Sequence, residues 1–356
     1  MSRSSQLLAV ALALTSFSAR AFAQAPTPGP AAPPEQAAPP AIEILYHADL
    51  DGRLATPACA GAAKREGDVD YATLLGRLAG ERADGSRPVT LLGGNIATPD
   101  LFGAGLVERG PAGIEALAAL LARGQYDAIA FGHHELSMTP EALGQLARAL
   151  VARGMPVVAT NLRCDARARG ACPDVRPSVL VRRGELSLGI VATISPTVVP
   201  GIPAASFKGL TLDDPAPAAR AAIRALRARG ARYVILMAQG PRDATSLDQV
   251  DALARKLAGG PRGEGPDVIL AGGLAGEGAE RPMRALYRDG VAPIAGSPTG
   301  TAGLTRLRLG GGDASPVIDT LASAGATPDA DAAARLAAEL TAACARYGAA
   351  AAPGPV

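Results

Sequence analysis

The sequence predicts an α/β protein whose mixed sheets are covered by helices, and three observations carry that expectation. Short apolar runs of strand length recur at 42–46, 89–92, 128–131, 155–159, 188–191, 233–237 and 268–271. Segments with helical spacing alternate with them, as in Tyr71, Leu74, Leu75 and Leu78, or Ile114, Leu117, Leu120 and Leu121. Runs that are apolar on both faces belong to sheets buried on both sides, which helices must cover. Arg183-Gly184-Glu185, set between two apolar runs, reads as a hairpin and makes part of the sheet antiparallel.

Taken in order, the chain begins with Arg3, an apolar run at 7–14 and the small-x-small triplet Ala21-Phe22-Ala23. That is the pattern of a secretory signal cleaved near Ala23, so residues 1–23 are expected to be removed and the protein exported, to a periplasm or beyond. The run is too short for a bilayer, which takes roughly 20 residues, and no other segment is a membrane span. No Cys follows it to carry a lipid. Residues 24–40 are Pro- and Ala-rich with almost no large apolar side chains, the composition of a disordered tether.

From residue 41 the alternation begins, with a first strand at 42–46 and a helix around Tyr71–Leu78. Thr139-Pro140-Glu141 supplies an N-cap, a first-turn proline and a first-turn acid for a helix reaching about residue 153. Further helices are expected at 215–229 and 246–257. The Gly/Asp/Ser-rich stretch 310–316 separates one body, 41–310, from a C-terminal part, 311–356: linker, Ala-rich helix near 328–347, and tail. There is no internal repeat, and a body of this size is one domain.

Charge and cysteine usage exclude several classes. With 35 basic and 33 acidic residues the formal net charge is +2, which gives no concentrated basic face for nucleic acid or anionic membrane. The four cysteines, in an exported chain, are disulfide candidates: Cys164 and Cys172 close a short ring, and Cys59 and Cys344 are left as a long-range pair. All three pairings of four cysteines stay open at this point. No C-x-x-C is present to hold a metal.

Chemistry in open α/β sheets collects beyond the carboxyl ends of strands. There the chain places His47-Ala48-Asp49-Leu50-Asp51-Gly52, then Gly93-Gly94-Asn95, then Gly132-His133-His134-Glu135. The later strand ends, Ala238-Gln239-Gly240 and Ala271-Gly272-Gly273-Leu274-Ala275, are almost free of charge. In order and content these segments resemble the metallophosphoesterase (calcineurin-like) superfamily, in its 5′-nucleotidase branch. Ala48-Asp49-Leu50-Asp51-Gly52 stands for Asn-Asp-x-His-Gly, Gly94-Asn95 for Gly-Asp, and 126–135 (YDAIAFGHHE) for Tyr-Asp-Ala-x-x-x-Gly-Asn-His-Glu. Ala159-Thr160-Asn161-Leu162 and Gly189-Ile190-Val191 with Ser195-Pro196 continue the match, over residues 41–310. The residues after 310 are too few for that branch's separate C-terminal domain.

The resemblance implies a four-layer α/β/β/α sandwich with mixed sheets and, in the family, two divalent cations that activate water and stabilise charge on phosphate. Carried over, Asp49 keeps a metal-ligand position, Asp51 stands for a His, Asn95 for the bridging Asp, and His133 for an Asn. His134 keeps the position of the catalytic, phosphate-contacting His. The Ser-His segment becomes Ala238-Gln239, and Gly273 and Ala275 replace two further imidazoles without a donor atom. An Asn is a poor bridge between cations, and the three lost imidazoles have no neighbour to replace them. The expectation is therefore an exported, catalytically degenerate binding or structural module with no metal cofactor and with a small phosphate-containing ligand. The alternative is an active phosphoesterase with a rebuilt, mononuclear Mn, Mg or Zn site on Asp49, Asp51, Asn95 and His133. Plain structural roles compete with both: Asp49 and Asp51 as turn caps, and one of His133 and His134 as a packed residue. Gly272, Gly273 and Gly276 lack the fingerprint of a phosphate loop, and Ser195 lacks the elbow of a hydrolase nucleophile.

Overall fold

Strand β1 (Ala41–His47) has two buried faces: Ile42, Ile44 and Tyr46 enter one apolar cluster and Leu45 another. That double burial sets the architecture. The computed structural model describes residues 40–55, 69–169, 172–259, 263–274, 292–298, 300–311 and 316–345. The signal and nearly all of the tether read from the sequence lie outside these residues, as do Cys59 and the side chain of Cys344.

After β1 come α1 (Tyr71–Gly80), β2 (Val89–Leu92), α2 (Leu101–Glu108), α3 (Pro111–Ala122), β3 (Ala128–Ala130), α4 (His133–Leu136), α5 (Pro140–Ala152) and β4 (Val157–Val158). Next are β5 (Leu162–Cys164), α6 (Ala166–Arg169), β6 (Val179–Arg183), β7 (Leu186–Ile194), α7 (Ala204–Phe207), β8 (Leu210–Leu212), α8 (Pro215–Ala228) and β9 (Tyr233–Gln239). The described chain closes with α9 (Ser246–Ala258), β10 (Val268–Gly272), β11 (Ile294–Gly296), β12 (Gly303–Gly310), β13 (Val317–Ala322) and α10 (Ala330–Ala345).

One sheet has the order β13-β12-β1-β2-β3-β4, with β1 to β4 parallel and β12 and β13 antiparallel. The other has the order β11-β10-β9-β7-β6, parallel except for the β6–β7 hairpin, whose turn residue Gly184 has φ +55°. Strands β5 and β8 form a small antiparallel pair.

Alternation along the strands, whose side chains point to opposite faces in turn, shows how the layers stack. In β9, Ile235 and Met237 join Ile44, Tyr46 and Leu91 between the sheets, whereas Val234 and Leu236 pack under α8 and α9 with Ile223 and Leu257. Leu45, Leu92 and Ile129 face the other way, into α1, α2, α3, α5 and α10. The result is the four-layer α/β/β/α sandwich expected from the sequence. Each fully buried Leu, Ile or Val in it contributes about 1.5–3 kcal/mol.

Local signals account for the helix starts. Thr139 accepts from Ala142 N–H at the head of α5, and Asp214 accepts from Ala216 N–H at the head of α8, each followed by a proline. Several strands escape the sequence reading: β5, β8 and β11 are only three residues long, and β12 and β13 are hidden because Gly303–Gly310 alternates with arginines and Val317–Ala322 is half polar. Cys164 and Cys172 form a disulfide, with Cα atoms 5.8 Å apart. Among the described residues, no helix is long and apolar enough to cross a membrane.

Candidate functional site at the strand ends

The loops after β1 and β2 run side by side. Asp49 N–H donates to Gly94 O (3.0 Å), Asp51 N–H to Asn95 O (2.7 Å) and Gly52 N–H to Ile96 O (2.8 Å). The close fit puts Asp49, Asp51 and Asn95 at φ +59°, +55° and +61°. Asp and Asn tolerate that left-handed region better than other side chains, yet each such residue still costs about 1 kcal/mol.

Glu135, in α4, holds the second loop in place. Its fully buried carboxylate accepts from Asn95 N–H (2.8 Å), Ile96 N–H (2.7 Å), Ala97 N–H (3.2 Å) and Gly132 N–H (2.9 Å). A buried carboxylate survives only if its lone pairs are met, and here four backbone donors meet them. In the sequence Glu135 only closes the Gly-His-His-Glu segment, and its hold on the loop after β2 becomes visible in the fold.

On this frame the site residues meet one another. Asn95 donates from Nδ2 to Asp49 Oδ1 (2.9 Å) and accepts at Oδ1 from His134 N–H (3.3 Å). Both oxygens of Asp49 accept from Gly273 N–H, at 3.0 and 2.9 Å. Burial pushes the Asp49 carboxyl up to about 6, with Asp51 adding to the rise and Arg242, Asn95 and the Gly273 amide opposing it. Asp51 is 1 % exposed, and its Oδ1 pairs with the Arg242 guanidinium and lies 3.3 Å from His134 Nδ1. The His133 and His134 rings are 4.0 Å apart between centroids. Burial, then the neighbouring His134 and Arg242, lower His133 to about 4, so its imidazole is neutral.

Arg242 is the residue that the sequence reading missed. It lies three positions beyond β9, at φ +64°, with its backbone N–H on Gly273 O (2.8 Å). Its guanidinium, between Asp51 and Asp49, stays protonated: burial works against the charge, and the two carboxylates outweigh it. The available signal is an Arg-Asp pair in the loop Gly240-Pro241-Arg242-Asp243, just beyond a late strand end, Ala238-Gln239-Gly240, that carries no charge itself. Behind it, Gln239 and Tyr46 fill the floor. A Cβ on Gly272 would come within 2.6 Å of Gln239 Nε2 and 3.0 Å of Tyr46 Oη, so glycine is required where these side chains pack.

Much of the donor set is engaged within the chain. Asp49 presents its oxygens to an amide N–H, both ends of the Asn95 amide are engaged, and Asp51 faces a cation that belongs to the chain. Gly273 contributes a backbone donor where a ligand would need a lone pair. Among the described residues no group of three or more His, Cys, Asp or Glu is arranged to hold a metal. Of the expected set, Asp49, Asp51, Asn95 and His134 are brought into contact with one another, and the His133 ring lies tilted by 59° against that of His134. Ser195 is elsewhere engaged: its hydroxyl donates to Gln249 Oε1 (2.6 Å).

No family model matches the chain, and no curated protein matches its sequence. Its fold does match solved structures. A calcineurin-like phosphoesterase, YfkN from Bacillus subtilis, superposes with a TM-score of 0.65 at 16% identity, over 86% of this chain and 99% of that one. A putative 5′-nucleotidase from Staphylococcus aureus, in complex with alpha-ketoglutarate, gives 0.65 at 13% identity, over 84% of this chain and 58% of that one. A 5′-nucleotidase precursor from Thermus thermophilus gives 0.63 at 17%, over 86% and 59%. The fold is therefore that of calcineurin-like phosphoesterases and 5′-nucleotidases, and at these identities the likeness speaks for the fold alone. The chain spans less than two thirds of the length of the two nucleotidases.

Proposed function

We propose that this chain is an exported, non-hydrolytic protein of 5′-nucleotidase-like fold, serving as a binding or structural module for a small phosphate-containing ligand. One observation carries the loss of hydrolysis: Arg242 supplies a fixed positive charge to Asp51 and Asp49, where the resemblance puts metal ligands. Hydrolysis of a phosphate ester needs a water made nucleophilic near neutral pH and charge stabilised on the transferring oxygens. A guanidinium does only part of that. It attracts and orients an oxyanion, but it has no open coordination position on which to lower the pKa of a water. The retained carboxylates then have a structural use, since each satisfies donors in the loops that would otherwise be buried unpaired. Export is supported by the signal-like pattern of residues 1–23 and by the Cys164–Cys172 disulfide, a bond that persists in oxidising compartments.

Metal content of the purified mature chain, measured by mass spectrometry beside phosphatase and nucleotidase assays in Mn²⁺, Mg²⁺ and Zn²⁺, tests the proposal. The expected result is no stoichiometric metal and no turnover. Stoichiometric metal with turnover that disappears in both Asp49→Ala and His134→Ala would overturn it in favour of the rebuilt mononuclear hydrolase.

A further inference from the structure

At the opposite end of the six-stranded sheet, below the amino ends of β2 and β3, lies a polar cavity of about 1010 Å³. Four arginines line it, Arg82, Arg87, Arg123 and Arg183, against two carboxylates, Asp127 and Asp329. Two of the four are already neutralised. Arg183 pairs with Asp127 at 2.6 Å, and Arg123 pairs with Asp329 at 2.7 Å.

The other two are not. Arg82 is held part-buried by neutral oxygens only, with Nη2 donating to Thr90 Oγ1 (2.6 Å) and Gly124 O (2.9 Å). Arg87 is exposed at the rim, and its carbonyl accepts from Arg183 Nε (3.0 Å). Among the described residues neither guanidinium has a carboxylate within ion-pair distance. Taking a cation partly out of water and giving it only neutral acceptors is unfavourable unless an anion also meets it. The hydroxyl and backbone bonds take both hydrogens of Arg82 Nη2 and fix the guanidinium at the cavity wall with Nη1 and Nε as its remaining donors, so little freedom remains to be lost when an oxyanion binds. With four arginines against two carboxylates, the lining carries a net two positive charges, which match one group of about two negative charges, and a phosphate carries about −1.5 to −2 near neutral pH.

We infer that this cavity is a phosphate-binding site, formed by Arg82 and Arg87 and separate from the strand-end site. A phosphate takes one contact from the remaining donors of Arg82 and a second from Arg87, while Arg123 and Arg183 stay on their carboxylates and shape the walls. The volume leaves room for more than the bare ion, so a phosphate monoester enters as well as inorganic phosphate. A monocarboxylate, with one charge for two guanidiniums, binds more weakly.

Calorimetric titration of the full mature chain with inorganic phosphate, glycerol 3-phosphate and acetate, at ionic strength matched with chloride, tests this. The expected result is saturable binding of one or both phosphate compounds, at least about tenfold weaker binding of acetate, and about a tenfold loss in Arg87→Gln. Arg87 is exposed, so that variant folds normally; Arg82→Lys, which keeps the charge and loses the fixed planar guanidinium, should lose affinity as well. The component of the phosphate isotherm that is lost in Arg87→Gln should persist in Arg242→Gln, which separates this cavity from the strand-end site. Phosphate heats no different from chloride, or affinity unchanged in Arg87→Gln and Arg82→Lys, would overturn the inference. Loss of binding in Arg242→Gln alone would also overturn it, by moving the anion to the other end of the sheet.

Discussion

His47 and Asp49 are two residues apart and titrate in opposite senses. His47 lies within the helix-side core, with Nε2 2.7 Å from the Tyr126 hydroxyl, which in turn bonds the Tyr71 hydroxyl at 2.7 Å. Burial lowers its pKa to about 3, whereas burial raises Asp49 to about 6. As the pH falls below about 6.5, an unfolded chain protonates His47 and the folded one does not, so stability is lost down to about pH 3. As the pH falls below about 6, the folded chain protonates Asp49 and an unfolded one does not, so stability is gained down to about pH 4. Between about pH 6 and pH 4 the two nearly cancel. Asp49→Asn removes one side of that balance. Its unfolding free energy should fall more steeply than that of the parent as the pH drops, by about 1.4 kcal/mol per pH unit. Urea unfolding at half-unit steps from pH 6 to pH 4 measures the slope, and parallel curves for the two proteins would refute the assignment.

At the scale of elements, the site is a set of loops held by side chains that accept from backbone. The loop after β2 has few bonds of its own, and the Glu135 carboxylate supplies acceptors for three of its N–H groups plus that of Gly132. Glu135→Ala would leave four buried donors, and each unmet donor costs about 1–3 kcal/mol, so a loss of at least about 3 kcal/mol is expected. Glu135→Gln should recover only part, because its amide nitrogen would face backbone N–H donors. Urea midpoints at constant m-value give both numbers, and a loss under about 1 kcal/mol in the Ala variant would show that Glu135 does not hold the loop. This part of the site was legible because the first three strand-end segments are contiguous: Asp49, Asn95 and His134 could be placed by segment order. Arg242 was not, because its role depends on a contact across 191 positions with Asp51. A loop arginine looks the same in sequence whether it is solvated or ion-paired in a buried site.

At the scale of the molecule, the alternation of apolar runs made the layers readable, but the closing of the sandwich was not. Strand β12 pairs with β1, β13 of the C-terminal part pairs with β12 at the edge of the sheet, and α10 then joins the helical layer through Ala332 and Leu336. Three ion pairs, Arg109–Glu339, Arg123–Asp329 and Arg123–Asp331, tie it to the ends of α2 and α3. The approach is made possible by one position in α1. Gly76 faces the segment leading into α10 so closely that a Cβ there would overlap the Thr327 carbonyl oxygen, while a Cβ on Gly80 in the same helix would meet nothing within 4 Å. Asp329 N–H also donates to Ala72 O at 2.8 Å, so the segment cannot simply retreat. Helix propensity alone says that Ala at either position stabilises α1 by up to about 1 kcal/mol. Packing reverses the sign at Gly76, where overlap with backbone should cost about 1–3 kcal/mol, and leaves it unchanged at Gly80. Gly80→Ala should therefore be neutral or more stable than the parent and Gly76→Ala less stable. Chemical unfolding of the two single variants reads this directly, and equal stabilisation of both would mean that the C-terminal segment does not pack on α1 in solution.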